Sequence, residues 1–574
     1  MTGQSYHKTL LSETNIIKLI SIICLLFTAF YLTPLWATTY YISPNGSDRN
    51  QGSSLANAWK SLAHASSQKY HPGDRILLEG PHEYTGELSL INMQGTIDRP
   101  IIISSSNINK LATINARGYD NGVFLENCSH IKVQNLQITA DGGGSAKPAK
   151  GKAMRCGVKV VVSNQRNYET IDLKNLNIRN VFYNAPAFKR GKAEVRTANG
   201  TQSYGWGIRF INITPKSSMG TLRNIVVKDC SIENVAHTGL KFTSPGGGFT
   251  HVNVHGNKVL RTGGPGIQLS GVYDGHFHNN IVDRSGSDDD SRKWGRGSGL
   301  WTWNVNRILI ERNRFTRANG PGDSAGAHID FNSNDVIMQY NFSALNAGGF
   351  CEILGNNYRC CYRYNISVND GHRIKGKRGA FQEGKTLWLS GYVGRNAKKH
   401  GPYNSYIYNN TIYVNEDVIP SPKVSFFPGA QGVLVANNIF YISSPIGLVE
   451  GDQNNLVKKN DFNKETTIQK NQISSNMAPV YFENNLFLKK DIWPSTSILQ
   501  DHSPLIGDPE FIHTGGLNMR DYMPQAKTLI RNRGLKIKAL GGKDTELYLG
   551  MNVNTDILGK PIKGLPDLGA IEIP

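Results

Sequence analysis

The feature that most constrains this chain is a short phrase, apolar-x-x-Asn-x-apolar, that returns from Val254 onward in one register. It reads Val254…Asn257…Val259, Phe277…Asn280…Val282, Ile310…Asn313…Phe315, Ile407…Asn410…Ile412, Val435…Asn438…Phe440, Val457…Asn460…Phe462 and Phe482…Asn485…Phe487, and Asn341 and Asn365 fit the same slot. Apart from two long insertions the unit recurs about every 22–28 residues. So short a period, built of β-branched and aromatic residues around a turn residue, suits neither a helical repeat nor a propeller blade. It suits one coil of a parallel β-helix, in which each strand pairs with its equivalent one coil away. Asn fits the corner because it tolerates left-handed backbone and its side-chain amide can bond the Asn stacked above. The expected fold class is therefore all-β: a single-stranded right-handed parallel β-helix with an N-terminal cap helix and loop insertions.

Composition agrees: among 574 residues there are 60 glycines and only 19% charged residues, with 39% hydrophobic. That is too apolar for a disordered chain and too glycine-rich for a helical one. A second column precedes the Asn, in strands led by Gly122, Gly207, Gly239, Gly266, Gly299, Gly326 and Gly348, with another at Gly384. Side chains alternate between the faces of a strand. The first and third residues after the Gly, such as Leu240/Phe242, Ile267/Leu269 and Ala327/Ile329, are mostly small or apolar and are expected to point to the core. The second and fourth then line one outer face: Arg209; Lys241 and Thr243; Gln268 and Ser270; Trp301 and Trp303; His328 and Asp330; Phe350 and Glu352.

The ends read differently. An apolar run, Leu19–Leu32, follows Lys18 and precedes Pro34-Leu35-Trp36-Ala37, the pattern of a cleaved signal peptide over residues 1–37. Its 14 residues are short for a membrane span. A secreted or periplasmic protein, with no membrane contact after cleavage, is expected. The net charge of +19 favours a polyanionic partner, and export sets acidic glycans ahead of nucleic acid. Six cysteines follow the leader (Cys128, Cys156, Cys230, Cys351, Cys360, Cys361) without C-x-x-C spacing, so buried thiols with one disulfide at most are expected, and no zinc.

Residues 38–95 contain TYYISPNGSDRNQGSS, AWKSLAHA and HPGDRILLEG, and the middle phrase can form an amphipathic helix through Trp59, Leu62 and Ala63. These phrases resemble the N-terminal cap and first coil of secreted parallel β-helix proteins of the pectate-lyase type. GDPEF, DYMPQAKTLIRNRG and PDLGAIE within 501–574 resemble the closing segment of the same group, which leaves 96–500 for the helix itself. β-Helices of this group host lyases, hydrolases, epimerases and adhesins, so the chemistry must come from a site.

Asp330 and Glu352 take the same position of consecutive Gly-led strands, 22 residues apart with no loop between. Paired strands lie about 4.7–4.9 Å apart, so two outward carboxylates are expected at about 5 Å, the spacing of retaining glycosidases. Like-charge proximity would raise one pKa, as an acid/base requires. A hydrogen-bonded or metal-binding pair without catalysis fits the same spacing. Trp301 and Trp303 offer flat platforms for sugar rings unless a loop covers them, and His328 sits where it can bond a hydroxyl, move a proton or simply brace Asp330. Arg209, Lys241, Gln268 and Phe350 complete the expected substrate-binding face.

GAHIDFNSNDVIMQYN and GGFCEILGNNYRCCYRYN resemble segments of β-helical β-xylosidase-like retaining glycosidases. The resemblance implies Asp330 as nucleophile and Glu352 as acid/base. Two insertions border the face. Residues 283–297 combine Asp288, Asp289 and Asp290 with Arg292, Lys293, Trp294 and Arg296 and read as a solvated charge run. Residues 369–399 hold eight Lys/Arg, among them Arg373 and Lys385, and suit either a basic subsite or plain surface solvation. The expected function is a retaining glycoside hydrolase on a plant or algal, acidic polysaccharide or oligosaccharide, acting as a monomer without cofactor or metal. A uronate lyase or epimerase, using Lys241, Arg209 or His328 and calcium, is the runner-up, and a non-catalytic glycan-binding surface protein the third reading.

Overall fold

The computed structural model describes residues 37–142, 154–183, 204–287, 295–449, 480–493 and 500–573. The leading apolar run, residues 288–294 and Asn460 lie outside the described residues. Among those described, the strands form two sheets, of 26 and of 12 strands, with parallel pairing between the strands of successive coils. The larger sheet is two columns joined where Ile131–Asp141 and Asn167–Phe182 run through both. A single coil therefore contributes three strands, as Ile267–Ser270, Val272–His278 and Ile281–Asp283 do before Leu300–Trp303 begins the next. This is the parallel β-helix that the Asn phrase predicts.

The phrase works as expected in the core and at the corner. Val254 pairs with Phe277 and Phe277 with Ile310, all fully buried inside the coil. From Asn257 onward each Asn Nδ2 donates to the Oδ1 of the next, through Asn280, Asn313, Asn341, Asn365, Asn410, Asn438 and Asn485, at 2.9–3.1 Å. The ladder opens on the Cys230 N–H and closes on the Asp501 carboxylate, which accepts from Asn485 at 2.7 Å. The left-handed residue, however, is the one before each Asn: Asn279, Arg312, Tyr340 and Tyr364 have φ of 53°, 53°, 57° and 52°. The ladder Asn is selected for its amide, and its neighbour bears the strain.

The glycine column has a different cause. A Cβ on Gly122, Gly157, Gly207, Gly239, Gly266 or Gly299 would lie no more than 2.7 Å from the carbonyl oxygen of the next glycine in the column, which ends at Gly326. Close approach, not unusual φ, demands glycine here. The same hypothetical Cβ points at core methyls, Ile232 Cγ2 for Gly207 and Val259 Cγ1 for Gly239, so the row faces inward.

At the N-terminal end α1 (Leu62–Ser66) is capped by Ser61, whose Oγ accepts from His64 N–H at 3.0 Å. Leu62 and Ala65 are its buried residues, whereas Ala63 is exposed and Trp59 packs in the core before the helix starts. Leu505–Ile506 add a last parallel rung to the larger sheet, and the chain after it runs back along the outside of that sheet. Tyr340, Tyr406 and Tyr408 hydroxyls donate to the carbonyls of Thr555, Thr545 and Met551, and a second apolar cluster fills the seam. All six cysteines are buried free thiols, so the one disulfide allowed above does not form. No helix among the described residues is long and apolar enough to cross a membrane.

Candidate active site

The smaller sheet carries the expected face on seven strands: β1 (Gly205–Asn212), β2 (Leu240–Thr243), β3 (Ile267–Ser270), β4 (Leu300–Trp303), β5 (Ala327–Ile329), β6 (Gly349–Ile353) and β7 (Lys385–Leu389). Pairing stacks Arg209, Lys241, Gln268, Trp301 and His328 in one row, each directly over the next. Trp303 continues the neighbouring row after Ser270. To this point the alternation places every side chain as expected.

The register then departs from the sequence reading. Ala325 pairs with Gly349 and Ile329 with Ile353, an offset of 24 residues instead of 22. Glu352 therefore stacks in the His328 row, with Trp388 beyond it, and Asp330 lies two positions further along. A two-residue slip preserves the face, because side chains alternate with period two, but it turns the expected one-rung carboxylate pair into a diagonal one. The source of the error is Gly348-Gly349, taken as the next rung of the glycine column. That rung is Phe350. Because the column faces inward, Phe350 packs in the core against Tyr362, with ring centroids 5.7 Å apart, and is not a substrate contact. Gly349 turns the strand at φ 148° just before it.

The remaining side chains are far more enclosed than an open groove would leave them. Trp301 is 6% exposed and donates its Nε1–H to Asp330 Oδ2 at 2.6 Å; its ring lies over His328 and under the Arg296 guanidinium. It is a holder of Asp330, not an open sugar platform. Trp303 is partly exposed and packs edge-on against Phe331, so of the two indoles it is the one that meets solvent. His328, 1% exposed, bonds Ser298 Oγ through Nδ1 at 2.9 Å, and burial pushes its pKa down to about 4, so it is a neutral imidazole at pH 7.

A carboxylate that the sequence reading missed completes the cluster. Asp323 sits in the PGDSAG turn entering β5, with φ 43° and a side chain 4% exposed. It pairs with Arg296 Nη1 at 3.0 Å, so Arg296 belongs to the site and not to a solvated charge run. The turn is fastened by Arg373, whose Nη1 donates to the carbonyls of Asp323 at 2.7 Å and Gly320 at 3.2 Å. Lys385 is likewise turned inward, over the Trp388 ring. The basic insertion therefore spends these two cations on structure. The available signal for Asp323 was a lone acid among small residues immediately before a strand that carries another acid.

The three carboxyls divide electrostatically. Burial pushes Asp330 up to about 7, with the charge of Asp323 adding to it against the pull of the Phe331 N–H, Arg296 and Trp301. Burial, then Asp323, holds Glu352 well above the usual carboxylate range despite Lys385. Burial opposes ionisation of Asp323 as well, but Arg296, His328 and Arg373 outweigh it and hold its carboxyl below the ordinary value. One carboxyl held ionised, one held protonated and one poised near 7 thus share one buried site, a division of the kind that sets acid and base roles apart.

No family model matches the chain. A curated relative, the lacto-N-biosidase of Bifidobacterium longum subsp. longum, is 24% identical over 650 aligned residues that take in 93% of this chain and 36% of the relative. The chain thus spans about a third of that relative's length. Among solved structures, the GH136 lacto-N-biosidase from Eubacterium ramulus resembles it with TM-scores of 0.52 as the selenomethionine derivative and 0.51 as the native protein. Identity is 20% in both, over 76% of this chain and 72% of that one. At that identity the likeness bears on architecture alone, and the parallel β-helix of this chain is the architecture it shares with them.

Proposed function

We propose that this chain is an exported glycoside hydrolase acting on an oligosaccharide or polysaccharide, with Asp330 as its acid/base and Asp323 as its nucleophile. The observation that carries the reading is the electrostatic split between neighbouring carboxyls, Asp323 held ionised by Arg296 and Asp330 poised near 7. A curated relative named lacto-N-biosidase supports the hydrolase class. In the first step the Asp330 carboxyl gives its proton to the glycosidic oxygen while a carboxylate oxygen of Asp323 bonds the anomeric carbon and the leaving group departs. In the second, the Asp330 carboxylate takes a proton from water, whose oxygen displaces Asp323. Direct attack, and so retention, is assigned because Asp323 is the carboxylate held ionised while Asp330 is poised to give its proton. The register sets Asp330 and Glu352 on a diagonal instead of one rung apart, so their spacing does not bear on retention. Glu352 is assigned instead to hydrogen-bond donation from its protonated carboxyl.

The test is hydrolysis of a panel of aryl glycosides and natural glycans by the full chain, with proton NMR of the first product. Retained anomers are expected. Asp323→Asn should abolish turnover, and Asp330→Asn should retain it only toward substrates with good leaving groups. Glu352→Gln, which keeps a donor, should lose much less. Inverted product would assign Asp323 to water activation, and unsaturated products absorbing in the ultraviolet would replace hydrolysis by a lyase reaction.

A further inference from the structure

Arg209 and Lys241 are adjacent rungs of the site row, at the end away from the carboxyls, and they are 6% and 4% exposed. Stacked strands place their Cα atoms about 4.8 Å apart. Among the described residues neither side chain meets an acid. The Arg209 guanidinium lies 4.6 Å over the Trp206 ring and its Nη1 reaches only Met154 Sδ, at 3.2 Å, while its buried Nε has no hydrogen-bond partner. No hydrogen bond or ion pair of Lys241 exists among the described residues. The next rung, Gln268, presents a buried Oε1 that is also without a partner. Two stacked, buried basic groups without a counter-ion among the described residues destabilise the fold, whether the guanidinium keeps its charge or the amine gives up its proton. Packing alone gives no reason to keep them, since a Met at either position would fill the same space without that penalty.

We infer that Arg209 and Lys241 form an anion-recognising subsite that takes an acidic substituent, a carboxylate or sulfate, on a sugar unit of the substrate. The inference rests on the glycosidase reading for the substrate's being a glycan. Lys241 lies three rungs from His328 in the same row, through Gln268 and Trp301, about 14 Å along the sheet at the usual strand spacing. That is the reach of two to three sugar units, so the acid is recognised remote from the bond that breaks. A planar or tetrahedral anion between the rungs can accept from Arg209 Nε and from the Lys241 amine together, while Gln268 orients the ring that carries it. Burial, with Arg209 beside it, holds the Lys241 amine well below the usual lysine range. A bound anion reverses the second effect and opposes the first, so binding should take up a proton.

The experiment needs no turnover, and running it also in Asp330→Asn separates its failure from failure of the hydrolase reading. Glucuronate, glucose 6-sulfate and glucose are titrated into the full chain at constant ionic strength, by calorimetry and thermal shift. At least one of the two acids is expected to bind about tenfold or more tighter than glucose, with proton uptake revealed by buffers of different ionisation enthalpy. A preference for glucuronate identifies a uronate unit, and one for glucose 6-sulfate a sulfate ester. Arg209→Gln and Lys241→Met should each erase the preference, and Lys241→Met should raise Tm without ligand. Lys241→Gln serves should the Met variant not fold. Equal binding of acids and glucose by the wild type, or a preference that survives Arg209→Gln/Lys241→Gln, overturns the proposal.

Discussion

Asp330 accepts two hydrogen bonds, from Trp301 Nε1 and from its neighbour's N–H at 2.9 Å, and would be an ordinary carboxylate were it not buried. With its folded pKa raised from 3.8 to about 7, the protonated acid is lost as pH rises through 7. The rate should therefore fall on an alkaline limb near pH 7, and for a substrate with a good leaving group that limb should flatten in Asp330→Asn. Linkage gives a second readout. A group with a raised folded pKa favours folding fully below its unfolded pKa and loses that contribution as pH climbs to the folded value. Asp330→Asn should thus be more stable than wild type at pH 8, by at most about 4 kcal/mol, with the gap narrowing by pH 5; calorimetry at the two values checks it. His328 runs the other way, its neutral form favouring folding above 6.5 and losing that contribution toward about 4. At this scale the sequence showed which side chains share a face. It could not show Asp323 or Arg296, because both reach the site from turns and no periodicity governs a turn.

Elements explain both what was legible and what was not. The Asn phrase and the glycine column are readable because each repeats one physical requirement at every coil: an amide that must bond its equivalent, and a backbone that must nearly touch the next. The register of β6 was unreadable for the same reason, since Gly348-Gly349 imitates a column that has already ended and Phe350 takes the rung. Two variants test these causes separately. Gly239→Ala should lower stability by about 2–3 kcal/mol, because its methyl would strike the Gly266 carbonyl and Val259. Asn341→Ala should cost about 3 kcal/mol, because it leaves the Asn313 N–H and Nδ2 and the Ile310 carbonyl buried without their partner. In urea both should move the midpoint, and a changed slope in Asn341→Ala would show that one rung uncouples the coils on either side of it.

Across the whole molecule the two flanks of the coil differ: the smaller sheet carries the proposed site, and the larger is covered by the returning C-terminal segment. The returning C-terminal segment covers the outer larger sheet with apolar contacts, and it is pinned by a few polar side chains that the coil itself supplies. Arg363, 1% exposed, is the principal pin: it donates from Nε to Gln339 Oε1 at 2.8 Å and from Nη1 to the Tyr408 hydroxyl at 2.9 Å and the Gly550 carbonyl at 2.7 Å. The Tyr408 hydroxyl in turn donates to Met551 O. Nothing in the local sequence marked Arg363 for this duty, because its acceptor lies 187 residues away. Arg363→Met keeps the apolar volume and removes the donors, taking them from the Gly550 carbonyl and Gln339 Oε1, at about 2–3 kcal/mol. The loss should fall on the segment first. Limited proteolysis should cut near residues 540–560 at a protein stability that still protects the coil, and amide exchange should rise there before it rises along the Asn ladder. Turnover of an aryl glycoside should stay at the wild-type rate, since Arg363 lies on the sheet that carries none of the site. Cleavage that begins instead within the coil, or activity that falls in step with protection of the segment, would mean that the two flanks open as one unit.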